Sequence, residues 1–287
     1  MRTLRVVSAG TVAYRPALDW QRDLHARRVA GRISDVVLLL EHPHVYTLGR
    51  RFSAEHLLLG EEALASRGIE VHECDRGGSI TYHGPGQLVG YPIVALDESS
   101  LGAAQGARRG PDAIAYLRCL EEALIRAVGG FGVAAERRKH LTGVWVGEAK
   151  LASIGVNVSR GVSKHGFALN VTTDLSYFAG MIPCGIPSVA VTSLERLLGE
   201  APPMEAVEQA VAVQLASVLG ARVRTATLHE LGLAPKPDEP PNKAASEGEH
   251  EGSAAVGLLG VTMPEEAQVV PFPGMRRART GPVTAGK

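Results

Sequence analysis

The chain has 287 residues, 45% of them hydrophobic and 21% charged, with 30 basic and 30 acidic side chains giving a formal net charge of zero. That length can bury a substantial core, and the neutral balance argues against broad electrostatic capture of nucleic acid or a membrane surface, so neither is expected as a partner. The start, Met1-Arg2-Thr3-Leu4-Arg5, leads into only a short apolar stretch, so no secretory signal is expected, and the run Val36 to Leu40 is far too short to cross a bilayer. Three cysteines, Cys74, Cys119 and Cys184, show no paired spacing, which suits a reducing cytoplasm better than a disulfide scaffold.

Leu4 to Ser8 reads as a first strand, Asp19 to Arg32 as an amphipathic helix and Asp35 to Glu41 as a buried second strand. Ile69 to Cys74 is extended and runs into the glycine-rich stretch Arg76-Gly77-Gly78-Ser79-Ile80-Thr81-Tyr82-His83-Gly84-Pro85-Gly86-Gln87. Leu88 to Val94 is extended again, and residues 97–110 read as an irregular loop. Pro111 to Val128 carries the clearest helical pattern. Pro111 suits a first turn, and Ile114, Leu117, Glu121, Leu124, Ile125 and Val128 keep helical spacing, with Glu121 the one polar exception. Thr142 to Val146 and Lys150 to Val158 are extended and joined by the short turn Gly147-Glu148-Ala149. Lys164 to Val171 continues the pattern after Arg160-Gly161. Met204, Val207, Val211, Leu215 and Val218 mark a helix between Pro203 and Gly220. Strands and helices interleave without strict alternation, which predicts an α/β (α+β) fold with a mixed sheet packed by helices. From Pro235 onward eight of the 17 prolines mix with Glu, Ala, Gly and Ser. Residues 1–234 are therefore read as one domain and 235–287 as a mostly disordered tail with small apolar islands at Val256 to Val261 and Val269-Val270.

Three groups of residues could carry chemistry. Cys184 lies in Met181-Ile182-Pro183-Cys184-Gly185-Ile186-Pro187, where two prolines and a glycine exclude regular helix and hold the thiol on a restrained loop. The residues alone leave open an ordinary loop cysteine. Lys150, if its strand alternates without a bulge, shares an apolar face with Ala152, Ile154, Val156 and Val158. A lysine at the rim of such a face is partly desolvated, which prepares it to exchange a proton, and near a thiol it would favour the thiolate; a strand-end lysine that reaches to water is the plainer alternative. The Arg76 to Gln87 stretch lacks Gly-x-x-x-x-Gly-Lys and so is no phosphate loop, and a tight turn with His83 as a core residue remains open. His42, His44, His72 and Cys74 match no closed zinc spacing, and no metal is expected. Cys119 falls on a helix face with Ala115, Glu122 and Arg126 and reads as an unactivated thiol. Arg50-Arg51 and Arg137-Arg138-Lys139 are basic clusters that could meet an acidic carrier protein.

Together these stretches resemble the lipoyl(octanoyl) transferase family of lipoate biosynthesis. The resemblance rests on Glu41-His42-Pro43 with Val45 to Arg50, on Arg76 to Leu88, on Leu141 to Val146, on Lys150-Leu151-Ala152-Ser153-Ile154-Gly155, on His165 to Asn170 and on Pro183-Cys184-Gly185; it spans about residues 4 to 220. It implies the fold of biotin and lipoate protein ligases and a cytoplasmic enzyme. It also implies transfer of an octanoyl group from octanoyl-acyl carrier protein to a lysine on lipoyl domains of 2-oxoacid dehydrogenases and the glycine cleavage H protein, without a cofactor or ATP. By the same resemblance Cys184 is the acyl-carrying nucleophile and Lys150 its activating partner. Substrate contacts map to Arg76, Gly77, Gly78, Ser79, Ile80, Thr81, Tyr82 and His83, to Ser153, Ile154 and Gly155, and to Gly166, Phe167 and Ala168. The sequence departs from the family pattern at Ser79, Asn157 and Lys164. A monomer is the default expectation. The rival readings are an ATP-dependent lipoate or biotin ligase of the same fold, a non-catalytic lipoyl-domain or carrier-binding protein, and a cysteine hydrolase using His83 or His165.

Overall fold

The structure, a computed structural model, describes residues 2–96, 112–182 and 189–233. The chain divides into two units, Met1–Pro235 and Lys236–Lys287, and every described residue belongs to the first. The expectations for the 97–110 loop, Pro111, Cys184 and the tail from Pro235 lie outside the described residues.

Eleven strands and five α-helices are described. In chain order they are β1 (Arg2–Thr11), α1 (Tyr14–Val29), β2 (Asp35–Glu41), β3 (Val45–Leu48), α2 (Glu61–Ser66), β4 (Glu70–Glu73), β5 (Ile80–His83), β6 (Gln87–Ile93), α3 (Ala113–Gly129), β7 (Glu136–Arg138), β8 (Leu141–Val146), β9 (Ala149–Ser159), β10 (Val162–Asn170), α4 (Leu194–Leu198), α5 (Met204–Val218) and β11 (Ala221–Thr225). Eight strands form a sheet in the order β11-β1-β2-β6-β10-β9-β8-β7, and β4-β3-β5 form a smaller one. β1 pairs in parallel with β11 and β2, and the remaining large-sheet pairs are antiparallel, so the sheet is mixed as expected.

β2 shows why its sequence is apolar throughout. Val37 and Leu39 face a core with Tyr116, Leu120 and Leu124 of α3 and Val207, Val211 and Leu215 of α5, whereas Val36, Leu38 and Leu40 face a second core with Ala17 and Leu24 of α1. A strand covered on both faces has no solvent side on which to place polar residues. The third core lies over the small sheet and packs Tyr46, Ile80 and Tyr82 against Phe178 and Met181.

Helix α1 begins at Tyr14, five residues before the expected Asp19. Pro16 is its third residue, where the missing N–H would have had no partner within the helix anyway, so the proline does not block this turn. In α3 the cap is Asp112, whose carboxylate accepts from the Ile114 and Ala115 N–H groups, and the helix opens at Ala113. The buried stripe of α3 is also rotated from the expected one: Ile114 is 70% exposed, while Tyr116, Leu120 and the polar exception Glu121 are fully buried. The two-residue turn Arg160-Gly161, with φ of 50° and 74°, closes the β9–β10 hairpin. None of the helices among the described residues is long and apolar enough to cross a membrane.

Candidate active site

The glycine-rich stretch leaves Cys74 and folds onto β9. The Gly77 N–H donates to the Val156 carbonyl at 2.9 Å, and a Cβ at Gly155 would lie 2.7 Å from the Gly77 carbonyl. Only glycine at 155 lets the two backbones approach this closely. Arg76 is spent on holding this arrangement: Nη2 donates to the Thr47 carbonyl and, at 2.9 Å, to Thr47 Oγ1, and Nη1 donates to the Gly77 carbonyl at 3.1 Å. The stretch, for which the residues alone left a tight turn open, is a wall tied on one side to β3 and on the other to β9, and its second half is β5.

Between this wall, β9 and β10 lies a cavity of about 320 Å³. Among the residues expected to contact substrate, Arg76, Gly77, Gly78, Ser79, Ile80, Thr81, His83, Ser153, Ile154, Gly155, Gly166, Phe167 and Ala168 all line it, together with Lys150. Tyr82 does not. Strand alternation turns its ring to the other side, where it stacks on Tyr177 at 5.0 Å and its hydroxyl bonds His44 Nδ1 at 2.8 Å. The sequence reading did not assign Tyr14, Arg51, Tyr91, Leu117 and His140 to this cavity, which they also line. Tyr14 was hidden because the start of α1 was misread. The other four sit on elements whose spacing says nothing of the cavity.

His42, His44 and His72, considered as metal ligands, are occupied otherwise, as is the cavity-lining His83. His42 donates from Nδ1 to the Val12 carbonyl at 2.6 Å and accepts the Tyr91 hydroxyl at Nε2, 2.7 Å away. Burial lowers its pKa from 6.5 to about 4. His83 Nδ1 donates to Gln87 Oε1 at 2.8 Å, and burial, with His42 nearby, holds its pKa well below the ordinary value. His72 bonds Glu70 at 2.8 Å. No cluster of three metal-ligating side chains occurs among the described residues.

At the outer part of β10, His165 takes a positive φ of 57° and its Nε2 bonds Asp75 Oδ1 at 2.7 Å. Asp75 also bonds Lys164 and, at 3.0 Å, Asn157. These bonds, that from His165 foremost, hold the Asp75 carboxyl below its ordinary pKa, while burial lowers that of His165. Two departures from the family pattern, Asn157 and Lys164, thus share one carboxylate. Cys119 is half-buried, and burial pushes its thiol up, in line with an unactivated cysteine.

Lys150 is placed by a bulge. Trp145 opposes Lys150 and Val144 opposes Ala152, so Leu151 is an extra residue in β9. The bulge overturns the expected face shared by Lys150 and Ala152, because alternation is broken between them. Nor does Lys150 reach to water: it is 5% exposed, with Nζ 4.9 Å from the centre of the Trp145 ring. Its backbone N–H donates to the Ala190 carbonyl at 2.8 Å, and its carbonyl accepts from the Thr192 N–H at 3.0 Å.

Cys184 itself belongs to the segment 183–188, outside the described residues, but the chain on both sides is described. On the entering side the Ile182 N–H donates to the His56 carbonyl at 2.8 Å, and His56 Nδ1 bonds the hydroxyl of cavity-lining Ser79 at 2.7 Å. On the leaving side are the Ala190 and Thr192 bonds to Lys150. Thr192 is held in turn by Asn170, which bonds Gln87, which bonds His83.

Comparison with known proteins gives a consistent picture. The family model for the lipoyl protein ligase A/B catalytic domain matches residues 13–216. The octanoyltransferase of Acidobacterium capsulatum is 48% identical over 228 residues, covering 77% of this chain and 92% of that protein. The octanoyltransferase of Chloroflexus aurantiacus is 46% identical, with 79% and 99% covered. Among solved structures, the bipartite lipoate protein ligase of Thermoplasma acidophilum, from an archaeal lipoylation system, superimposes with a TM-score of 0.60 at 17% identity, covering 81% of this chain and 91% of that one. At that identity the likeness speaks for the fold alone, and it is the lipoate-ligase architecture the sequence resemblance implied.

Proposed function

Because the chain belongs to the lipoyl protein ligase A/B catalytic family, and within it to the octanoyltransferases of lipoate biosynthesis, we propose that it carries an octanoyl group from acyl carrier protein to a lipoyl-domain lysine through a thioester on Cys184. The observation that carries this reading is the anchoring of segment 183–188. Its entrance is bonded to His56, the partner of cavity-lining Ser79, and its exit pairs with the backbone of Lys150. Cys184 follows Ile182 by two residues, and two steps of about 3.8 Å keep it within roughly 8 Å of that anchor.

In the first half-reaction the Cys184 thiolate attacks the donor thioester carbonyl. The new Sγ–C bond forms as the old C–S bond breaks, and the carrier leaves as a thiol after taking a proton from the Lys150 ammonium, which leaves Lys150 neutral. In the second, the acceptor lysine amine attacks the octanoyl-Cys184 carbonyl. A C–N bond replaces the C–S bond, Lys150 takes the amine's proton, and that proton returns to Cys184. The octanoyl chain lies in the cavity against Ile154 and Phe167. His83, which lines the cavity, and His42 packed against it are held neutral by burial, which suits an uncharged chain. Thioester exchange is nearly balanced and the amide is the more stable product, so the cycle needs no ATP. The acceptors are lipoyl domains of 2-oxoacid dehydrogenases and the glycine cleavage H protein, and a free thiol nucleophile suits a reducing compartment such as the cytoplasm.

The test is transfer of labelled octanoate to an isolated lipoyl domain. Octanoyl-acyl carrier protein without ATP is expected to label one lysine, and free octanoate with ATP to label none. The reverse pattern would assign the chain to ATP-dependent ligation, and no labelling from either donor would refute the proposal.

A further inference from the structure

A buried carboxylate on α3 has no part in the chemistry above. Glu121 is fully buried in a stripe otherwise made of Tyr116, Leu120, Leu124 and Val128. Burying a carboxylate costs several kcal/mol unless partners compensate it, so leucine would serve helix packing better. Two arginines meet its Oε2 from the surface: Arg118 at 2.6 Å and Arg137 at 3.2 Å. The other oxygen, Oε1, points inward and accepts the Gly143 N–H of β8 at 3.1 Å.

Gly143 is the residue on which Lys150 rests. Its φ of 130° lies in the region that favours glycine, and a Cβ there would come within 2.6 Å of the Ala152 carbonyl and 3.3 Å of Lys150 Cε. The lysine stem therefore fills the space a side chain at 143 would need, with its ammonium over Trp145 two residues further along the same strand. The β8–β9 register changes at this bulge, which is where a pair of strands is least well fixed by its own ladder.

We propose that Glu121 is a positioning residue for Lys150: by holding the Gly143 N–H it pins β8 at the bulge and so fixes the slot in which the lysine stem and ammonium lie. The proposal rests on the reading of Lys150 as the proton carrier for its relevance to catalysis, but not for the geometry it asserts.

Two conservative variants separate reach from charge. Glu121→Asp keeps the charge and falls one methylene short of Gly143, while Glu121→Gln keeps the reach and an oxygen acceptor and loses the charge. In the full chain with Trp20→Phe, Trp145 is the remaining tryptophan, and its emission reports the two cations against its ring, Lys150 and Arg138. Lys150→Met, which leaves Arg138 in place, sets the emission expected when the Lys150 cation alone is gone. Glu121→Asp is expected to shift emission toward the Lys150→Met value and to slow octanoyl transfer about 100-fold, as a misplacement of about 1 Å can. Glu121→Gln is expected to keep the parent emission and transfer within about tenfold. Parent-like emission and rate in Glu121→Asp, or equal damage in both variants, would overturn the proposal. Full transfer by Lys150→Met would instead refute the catalytic reading of Lys150, while the emission series would still decide the positioning.

Discussion

Lowering the pH from 7 to 5 is expected to remove about 2 kcal/mol of folding stability through His42 alone. In the fold its imidazole is enclosed by Tyr14, Tyr91 and His83, and both nitrogens are used in the neutral form. Burial sets its pKa at about 4, against 6.5 in an unfolded chain. Between those values the unfolded chain binds a proton that the folded one does not, so stability falls as pH drops from 6.5 toward 4. At pH 5 this linkage amounts to RT ln(1 + 10^1.5), or about 2 kcal/mol, nearly all of it absent at pH 7. His83, shifted in the same direction, adds to the loss. Urea unfolding at pH 7, 6 and 5 measures it, where about 2 kcal/mol corresponds to roughly 1 M in the midpoint. In His42→Gln the amide can donate to the Val12 carbonyl and accept the Tyr91 hydroxyl without titrating. That variant is expected to lose about 2 kcal/mol less than the parent over the same interval. An identical pH dependence in parent and variant would show that His42 is not held neutral by burial.

Other substitutions probe the remaining parts of the site. Gly155→Ala drives a methyl to 2.7 Å from the Gly77 carbonyl, so the glycine-rich wall must lift off β9; a loss of about 1–3 kcal/mol in urea unfolding, with weaker octanoyl transfer, is expected. Asp75→Asn leaves an acceptor for His165 and removes the half-exposed ion pair with Lys164, so its cost at pH 7 should stay within about 1 kcal/mol. Because the folded Asp75 carboxyl is depressed, its contribution is present above the ordinary value of 3.8 and is lost as pH falls below it, and the same variant should flatten that acid limb in thermal melts. Lys150→Arg keeps a cation over Trp145 but no usable base, and single-turnover transfer to the lipoyl domain is expected to slow sharply; near-normal turnover would count against proton transfer by Lys150.

What could be read from the sequence follows from where each signal resides. β2 and α5 were legible because each keeps one pattern from end to end, and the β9–β10 hairpin because Arg160-Gly161 marks its turn; the cavity walls were legible through the family resemblance, in which Gly77 and Gly155 stand where two backbones meet. Of the small sheet only β4 was read, within Ile69 to Cys74; β3 and β5 are four residues each and too short for a pattern to declare itself. The bulge at Leu151 was invisible for a similar reason: one inserted residue leaves composition unchanged and alters only which face Lys150 takes. Glu121 did announce itself as a polar residue in an apolar stripe. Its partner, Gly143, stands on another strand, and pairing of that kind is fixed by tertiary packing.

Intact-protein mass after mixing with octanoyl-acyl carrier protein tests the central claim most directly. The full chain is expected to gain one octanoyl group, located on the peptide containing Cys184, and Cys184→Ala is expected to gain none. An octanoyl adduct of equal yield in the alanine variant, or transfer to a lipoyl domain by that variant at the parent rate, would contradict it.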